Sequence, residues 1–523
     1  MIRRRTFLTA TAGIAATTVG PATAAQATTS RKVASPVPLH LASARDQLAA
    51  LRDGTITSRQ LLEQYLAHHA KANPGINAVV TLDTDGARAA ADEADRQHAA
   101  GERLGPLHGL PITLKDALET RGLRTTSGNP DLSGHVPSQD ADAVARLRAA
   151  GAVIMGKTNV PTMCQDIQTS NPLFGRTNNP HATDRTAGGS SGGPAAAVAA
   201  GLTALEVGSD LGGSLRLPAA YCGVYALRTS FGTVSARGHI PRLPGWLTTS
   251  DMMTLGPVAR TADDLELLLD VLAGPAPADA PAWRLDLPAP ERHSLGEYRV
   301  GLWSDDPYCR VDQDTRDLLE EVAALLRTAG ATLDSSTRPV DLADSDKLFQ
   351  RLMYATSSAT APDDAFKAEA RAADGFADDD TSPGAFYLRS RTMRHRDWMR
   401  ANEERESLRA KWATYFSTHD VLITPATPTA AVPDQTAVPV PQRHITVDGD
   451  RRPYFDQTTW ANLTSHVRLP SLVVPAGKTA DGLPLGIQII GPYLADRTVI
   501  AVARHLAGLL PAPVQPPMLR TAS

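Results

Sequence analysis

Two glycine-rich turns that carry serines, and one lysine that ends an apolar run, are the residues here whose types and spacing could do covalent chemistry. Gly188-Gly189-Ser190-Ser191-Gly192-Gly193 leads into an Ala-rich stretch that opens with Pro194. Gly208-Ser209-Asp210-Leu211-Gly212-Gly213-Ser214 follows the apolar run Ala204 to Val207. Glycines let the backbone take positive φ and leave room for a ligand to approach main-chain amides. Ser214 stands just after Leu211-Gly212-Gly213 and opens a predicted helix through Ala220, a place where several N–H groups could hold an oxyanion. A serine nucleophile needs a base. Histidine is the usual one, yet this stretch holds none, and no G-x-S-x-G elbow surrounds Ser214. A lysine serves if burial keeps it neutral. Lys115, at the end of Pro111-Ile112-Thr113-Leu114, is the lysine that a strand would deliver to an interior site.

The elements that must position these groups follow from periodicity. Ser43 to His69 reads as two helices, the second capped by Thr57 or Ser58, with Leu61, Leu62, Tyr65 and Leu66 at helical spacing. Ala78 to Leu82, Ile112 to Leu114, Ala152 to Met155 and Ala204 to Val207 read as buried strands separated by helical stretches such as Ala141 to Ala150. This alternation is α/β grammar. It resumes beyond the Pro/Ala-rich surface connection Gly274 to Pro290, with a strand at Val300 to Trp303 and a helix at Thr315 to Ala329. Residues 350–416 read as mostly helical, with Leu408, Trp412 and Phe416 on one packed face. Val421 to Ile423 leads to a Pro-rich loop. Leu472 to Val474 and Leu485 to Ile490 read as a hairpin pair, and Arg497 to Leu509 as a closing helix.

Composition excludes several classes. With 523 residues, 42% apolar and 21% charged, the chain reads as folded, and 52 Lys+Arg against 56 Asp+Glu, net −4, leave no basic footprint for nucleic acid. Three distant cysteines give neither a disulfide scaffold nor zinc-ligand spacing. Asp378-Asp379-Asp380 lacks the Gly and Glu of a calcium loop and reads as solvated loop. Gly151 to Thr158 satisfies the phosphate-loop pattern letter for letter, but its middle residues Ala152 to Met155 are themselves the strand, and Pro161 disfavours the helix that would follow. Residues 1–27, with Arg3-Arg4-Arg5, a weakly apolar stretch and small-residue sites near Ala24 and Ala27, have signal-peptide layout, and Arg4-Arg5-Thr6-Phe7-Leu8 is similar to a twin-arginine export motif. No later segment is long and apolar enough to span a membrane, and no cysteine lies near the cleavage site to carry a lipid. The expected organisation is an export segment over 1–27, a linker over 28–38 and one catalytic domain over 39–520, exported beyond the cytoplasm without a stable membrane anchor.

Gly188 to Gly193, Gly208 to Arg216 and Pro218-Ala219-Ala220-Tyr221-Cys222-Gly223 resemble the amidase signature family of serine hydrolases. So do Pro111 to Asp116, Met155 to Asn159, Gly256 to Arg260 and Gly482 to Gln488, and the resemblance covers about residues 39–510. It implies a large twisted mixed sheet covered on both faces by helices, with a Ser-cisSer-Lys triad. By position, Ser214 is then the nucleophile, Ser190 the bridging serine with a cis peptide, and Lys115 the base. The backbone amides of Leu211, Gly212, Gly213 and Ser214 would hold the oxyanion, with Ser191, Ser209, Asp210 and Arg185 in support. The implied reaction is hydrolysis of a small-molecule or peptide amide through an acyl-enzyme, with no metal or cofactor. Where the family usually has Gly-Leu-Lys-Pro, this chain has Tyr225-Ala226-Leu227-Arg228-Thr229, which alters packing behind the nucleophile. Two alternatives share the resemblance: a catalytically silent amidase fold that binds amides, and a component of a tRNA-dependent amidotransferase, against which the export signal argues.

Overall fold

The computed structural model describes residues 38–520. Residues 1–27, expected to be an export segment, and all of the expected linker but Pro38 lie outside the described residues. Strands β1 (Val79–Leu82), β2 (Pro111–Lys115) and β3 (Val153–Thr158) form a small sheet in the order β1-β3-β2, with β3 antiparallel to β1 and parallel to β2. Both β2 and β3 are buried along their whole length, as near-continuous apolar strands must be. Eight further strands make the large sheet: β4 (Leu205–Asp210), β5 (Tyr225–Arg228), β6 (Thr254–Ala259), β7 (Arg299–Leu302), β8 (Thr332–Asp334), β9 (Val421–Pro425), β10 (Ser471–Lys478) and β11 (Pro484–Ile490). Their order is β8-β7-β9-β11-β10-β5-β6-β4, parallel at the β8-β7-β9 end and antiparallel across the rest. The expected hairpin is β10 with β11.

The two faces are separated by the period-2 alternation of the strands. Leu472, Val474, Leu227, Val421 and Ile423 pack with the helices Ala262–Leu272, Gln313–Thr328 and Asp496–Ala507. Their neighbours Val473 and Ala226 turn the other way, onto α1 (Gly192–Ala199) and α2 (Arg216–Cys222). Every residue of α1 is buried. A helix that is apolar all round belongs in an interior, and its glycines and alanines let backbones approach closely there. The mixed sheet with helices on both faces is the expected architecture. The helical face over 350–416 also holds, with Trp412 buried and Leu408 and Phe416 packed in the same cluster.

Two local expectations shift. Strand β4 continues past Val207 because Ser209 and Asp210 pair with Leu255 and Thr254, so the turn narrows to Leu211–Leu215 and α2 begins two residues after Ser214. The strand expected over Ala152 to Met155 runs on through Gly156, Lys157 and Thr158, which pair with Thr113, Leu114 and Lys115. Lys157 is fully buried, and its ammonium donates to the carbonyl of Leu118 and, at 2.9 Å, to Thr120 Oγ1. A lysine so occupied is structural.

Candidate active site

Lys115 closes β2 with its side chain 0% exposed, and its Nζ stands 2.8 Å from Ser190 Oγ, 2.9 Å from Ser191 Oγ and 2.9 Å from Ser209 Oγ. It makes no ion pair among the described residues. Burial pulls its ammonium below the ordinary lysine range, opposed by the nearby Cys164 thiol and, further off, the carboxylates of Asp210 and Glu206. The small sheet therefore supplies an amine to Ser190 and Ser191 in the turn before α1 and to Ser209 on β4 of the large sheet. Ser190 follows a cis peptide bond with Gly189. A Cβ at Gly189 would stand 2.7 Å from the carbonyl oxygen of Asp166, so only glycine lets this turn lie against the 166–168 backbone.

The second turn is held by a buried charge cluster that charge composition alone conceals. Asp210 accepts from Arg216 through Nε at 2.9 Å and Nη2 at 2.8 Å, and stands 3.3 Å from Arg228 Nη1, with all three side chains 0% exposed. Burial alone would raise the Asp210 carboxyl, but the charge and hydrogen bonds of Arg216, then Arg228, overcome it and hold the group well below the usual range. Arg228 also donates to the carbonyls of Asp210, Met252 and Ser465. This is what the departure at residues 225–229 does: a guanidinium fork ties β5 to the end of β4 and to the loops above it.

Asp210 corrects one expectation. Its Oδ1 accepts from the Gly213 amide at 2.9 Å and its Oδ2 from the Leu215 amide at 3.0 Å, so the Gly213 N–H is spent on the turn and is not free for an oxyanion. Gly213 instead supplies φ +99°, which reverses the chain before Ser214. The amides of Leu211, Gly212 and Ser214 have no partner among the described residues. Ser191 N donates to Ser214 O at 3.1 Å, which ties the two serine turns together. Asp210→Ala would leave two buried guanidiniums uncompensated. The expected cost is about 3–5 kcal/mol, read as a lowered urea midpoint.

Ser190, Ser209, Leu211, Gly212 and Ser214 all line one cavity of about 650 Å³. Its walls are largely apolar, including Met163, Ile167, Met253, Phe349, Met353 and Tyr354. Charge at its rim is partly neutralised: Asp166 pairs with Arg443 at 2.6 Å and accepts from the Tyr454 hydroxyl at 2.7 Å, and Arg391 pairs with Glu369 at 2.8 Å. Arg185 is a second correction. Among the described residues its guanidinium reaches only Ala431 O at 3.5 Å and Asp184 at 3.8 Å, pinning the 184–186 segment to the 431–433 loop, and it does not line the cavity. Sequence reading missed His239, which is buried, lines the cavity and has Nε2 2.8 Å from Ser209 Oγ. No spacing relates it to the serine turns. It also missed Cys164, which lines the same cavity.

The family model for Amidase matches residues 60–500. The A-type subunit of a glutamyl-tRNA(Gln) amidotransferase from Roseiflexus sp. (strain RS-1) is 33% identical over 482 residues, covering 89% of this chain and 95% of that one. Among solved structures, a bacterial aryl acylamidase belonging to the amidase signature enzymes matches with TM-score 0.76 at 26% identity, over 90% of this chain and 96% of the other. A 6-aminohexanoate cyclic dimer hydrolase matches with TM-score 0.75 at 28% identity, over 92% of this chain and all of the other. With the serine turns, the buried lysine and the mixed sheet that joins them, these likenesses place the chain in the amidase signature family of hydrolases.

Proposed function

We propose that the chain hydrolyses a carboxylic amide through an acyl-enzyme on Ser214. The observation that carries this reading is the buried Lys115 amine, unpaired with any carboxylate and 2.8 Å from Ser190 Oγ, beside the cavity that Ser190 and Ser214 share. Neutral Lys115 takes the proton of Ser190. Ser214 Oγ, which makes no hydrogen bond among the described residues without substrate, gives its proton to Ser190 as it closes on the substrate and bonds to the carbonyl carbon, the C=O π pair moving onto oxygen. The amides of Leu211, Gly212 and Ser214 receive that oxyanion. Collapse expels the amine, which takes back the relayed proton, and water, deprotonated by the same route, then releases the acid. Ser191 and Ser209 hold the lysine and Asp210 holds the turn.

A cavity of about 650 Å³ with mostly apolar walls suits an amide bearing a sizeable apolar or aryl group, and the aryl acylamidase likeness supports that class. The chain is also proposed to be exported through its twin-arginine segment; replacing Arg4 and Arg5 by lysines would then leave precursor in the cytoplasm. A second reading, the A-type component of an amidotransferase, draws on the 33% identity to such a protein. Kinetics with p-nitroacetanilide and with glutamine separate the two. The amidase reading expects the purified chain alone to release p-nitroaniline and a fluorophosphonate to label Ser214. Glutamine hydrolysis that appears only with added partner proteins would overturn it, and absence of labelling would favour a silent binding fold.

A further inference from the structure

The hydrogen bonds around Lys115 can be counted, and the count singles out His239. A neutral amine has two N–H donors and one lone pair, while Nζ has three hydroxyl neighbours. For Lys115 to act as base, the lone pair must face Ser190. Ser191 Oγ lies 3.2 Å from the Ser209 carbonyl, to which it donates, and accepts from the Ser209 amide at 3.3 Å. Its proton is committed there, so toward Lys115 it accepts. Ser209 Oγ lies between Lys115 Nζ at 2.9 Å and His239 Nε2 at 2.8 Å, its two partners among the described residues, and two arrangements satisfy those distances while keeping the Ser209 proton hydrogen-bonded. If Nε2 carries the imidazole proton, it donates to Ser209, whose own proton then points at Lys115 and occupies the lone pair. If Nδ1 carries it, Nε2 accepts from Ser209, Ser209 accepts from Lys115, and the lone pair is left for Ser190.

We propose that His239, as the Nδ1–H tautomer, is a positioning residue that takes the Ser209 hydroxyl proton and so reserves the Lys115 lone pair for Ser190. This rests on the amide-hydrolase reading above. The imidazole is held neutral by burial and then by the nearness of Lys115, which lower it to about 3, so one ring nitrogen stays an acceptor through the working pH range, and in the Nδ1–H tautomer it is Nε2. Nδ1 is buried with no partner among the described residues, so the Nδ1–H tautomer carries the cost of an unmatched donor, which the hydrogen bonds it frees at Ser209 and Lys115 must offset. The Cys164 thiol also hydrogen-bonds Lys115, but its proton can go to Ser127 Oγ at 3.7 Å or Ile240 O at 4.0 Å, so toward Lys115 it is a weak acceptor and does not compete for the lone pair.

Nitrogen NMR of protein labelled at histidine tests the tautomer without turnover, and so stands apart from any failure of Ser214 chemistry. The expected spectrum shows His239 protonated at Nδ1 with Nε2 as acceptor from pH 6 to 9; an Nε2–H signal overturns the proposal. In kinetics with p-nitroacetanilide, His239→Leu is expected to lower kcat by roughly tenfold to a hundredfold, a share of ordinary acid–base catalysis, with KM little changed. In a Ser209→Ala background no hydroxyl competes for the lone pair, and the same substitution is expected to cost less than about twofold, a coupling that only contacting groups show. His239→Gln, whose carbonyl can accept from Ser209, is expected to recover most of the loss. Equal losses in the two backgrounds would mean a packing role and overturn the assignment.

Discussion

Ser214→Ala is expected to lose amidase activity by at least roughly four orders of magnitude in kcat, as removal of a nucleophile does in other covalent hydrolases. The fold has little stake in this hydroxyl. Ser214 Oγ makes no hydrogen bond among the described residues, and what holds the turn is the Asp210 carboxylate on the Gly213 and Leu215 amides, with the Ser191 amide on the Ser214 carbonyl. Losing one oxygen that faces a cavity is therefore expected to move stability by no more than about 0.5 kcal/mol. A urea curve superimposable on that of the wild type, beside absent turnover and absent fluorophosphonate labelling, is the combined result that assigns the nucleophile. Turnover at even a hundredth of the wild-type rate would move the nucleophile elsewhere.

What the sequence made legible were features with local signals. The glycine turns announce themselves by composition, α1 by its unbroken small apolar run, and Lys115 by ending a strand. The buried cluster of Asp210, Arg216 and Arg228 carried no such signal. Charged residues usually read as solvated, and these three become interior only because β4, α2 and β5, consecutive in the chain, fold back on one another inside the molecule. The same convergence spent the Gly213 amide, so a motif that suggested four donors leaves three. Arg185, near Ser190 in sequence, points toward the 431–433 loop instead, because the chain is still paired with that loop there and turns into the site only after Thr186. His239 is the converse: remote in sequence, it reaches Ser209 through a segment bridged to Leu118 just past the end of β2. Sequence spacing reports on side chains that share an element, and these do not.

Lys115→Met is expected to lower kcat by about a thousandfold, within the range of general acid–base effects, and its pH behaviour says more than its size. Only the neutral amine can accept a proton, so wild-type kcat/KM rises with pH as Lys115 deprotonates and then levels off. Because burial holds the folded-state pKa below the ordinary lysine value, that levelling comes at lower pH than a solvent-exposed lysine would give. In Lys115→Met this limb disappears, leaving a residual rate without the lysine's titration. The companion variant Lys115→Arg separates base from charge. A guanidinium could still donate to the Ser190, Ser191 and Ser209 hydroxyls, but it does not release its proton at any pH the enzyme works at. If the role of Lys115 were to hold three hydroxyls or to place a positive charge, arginine would preserve much of the rate. A folded Lys115→Arg enzyme is instead expected to be as slow as Lys115→Met, and one retaining a tenth of wild-type activity would overturn the assignment of a neutral amine as base.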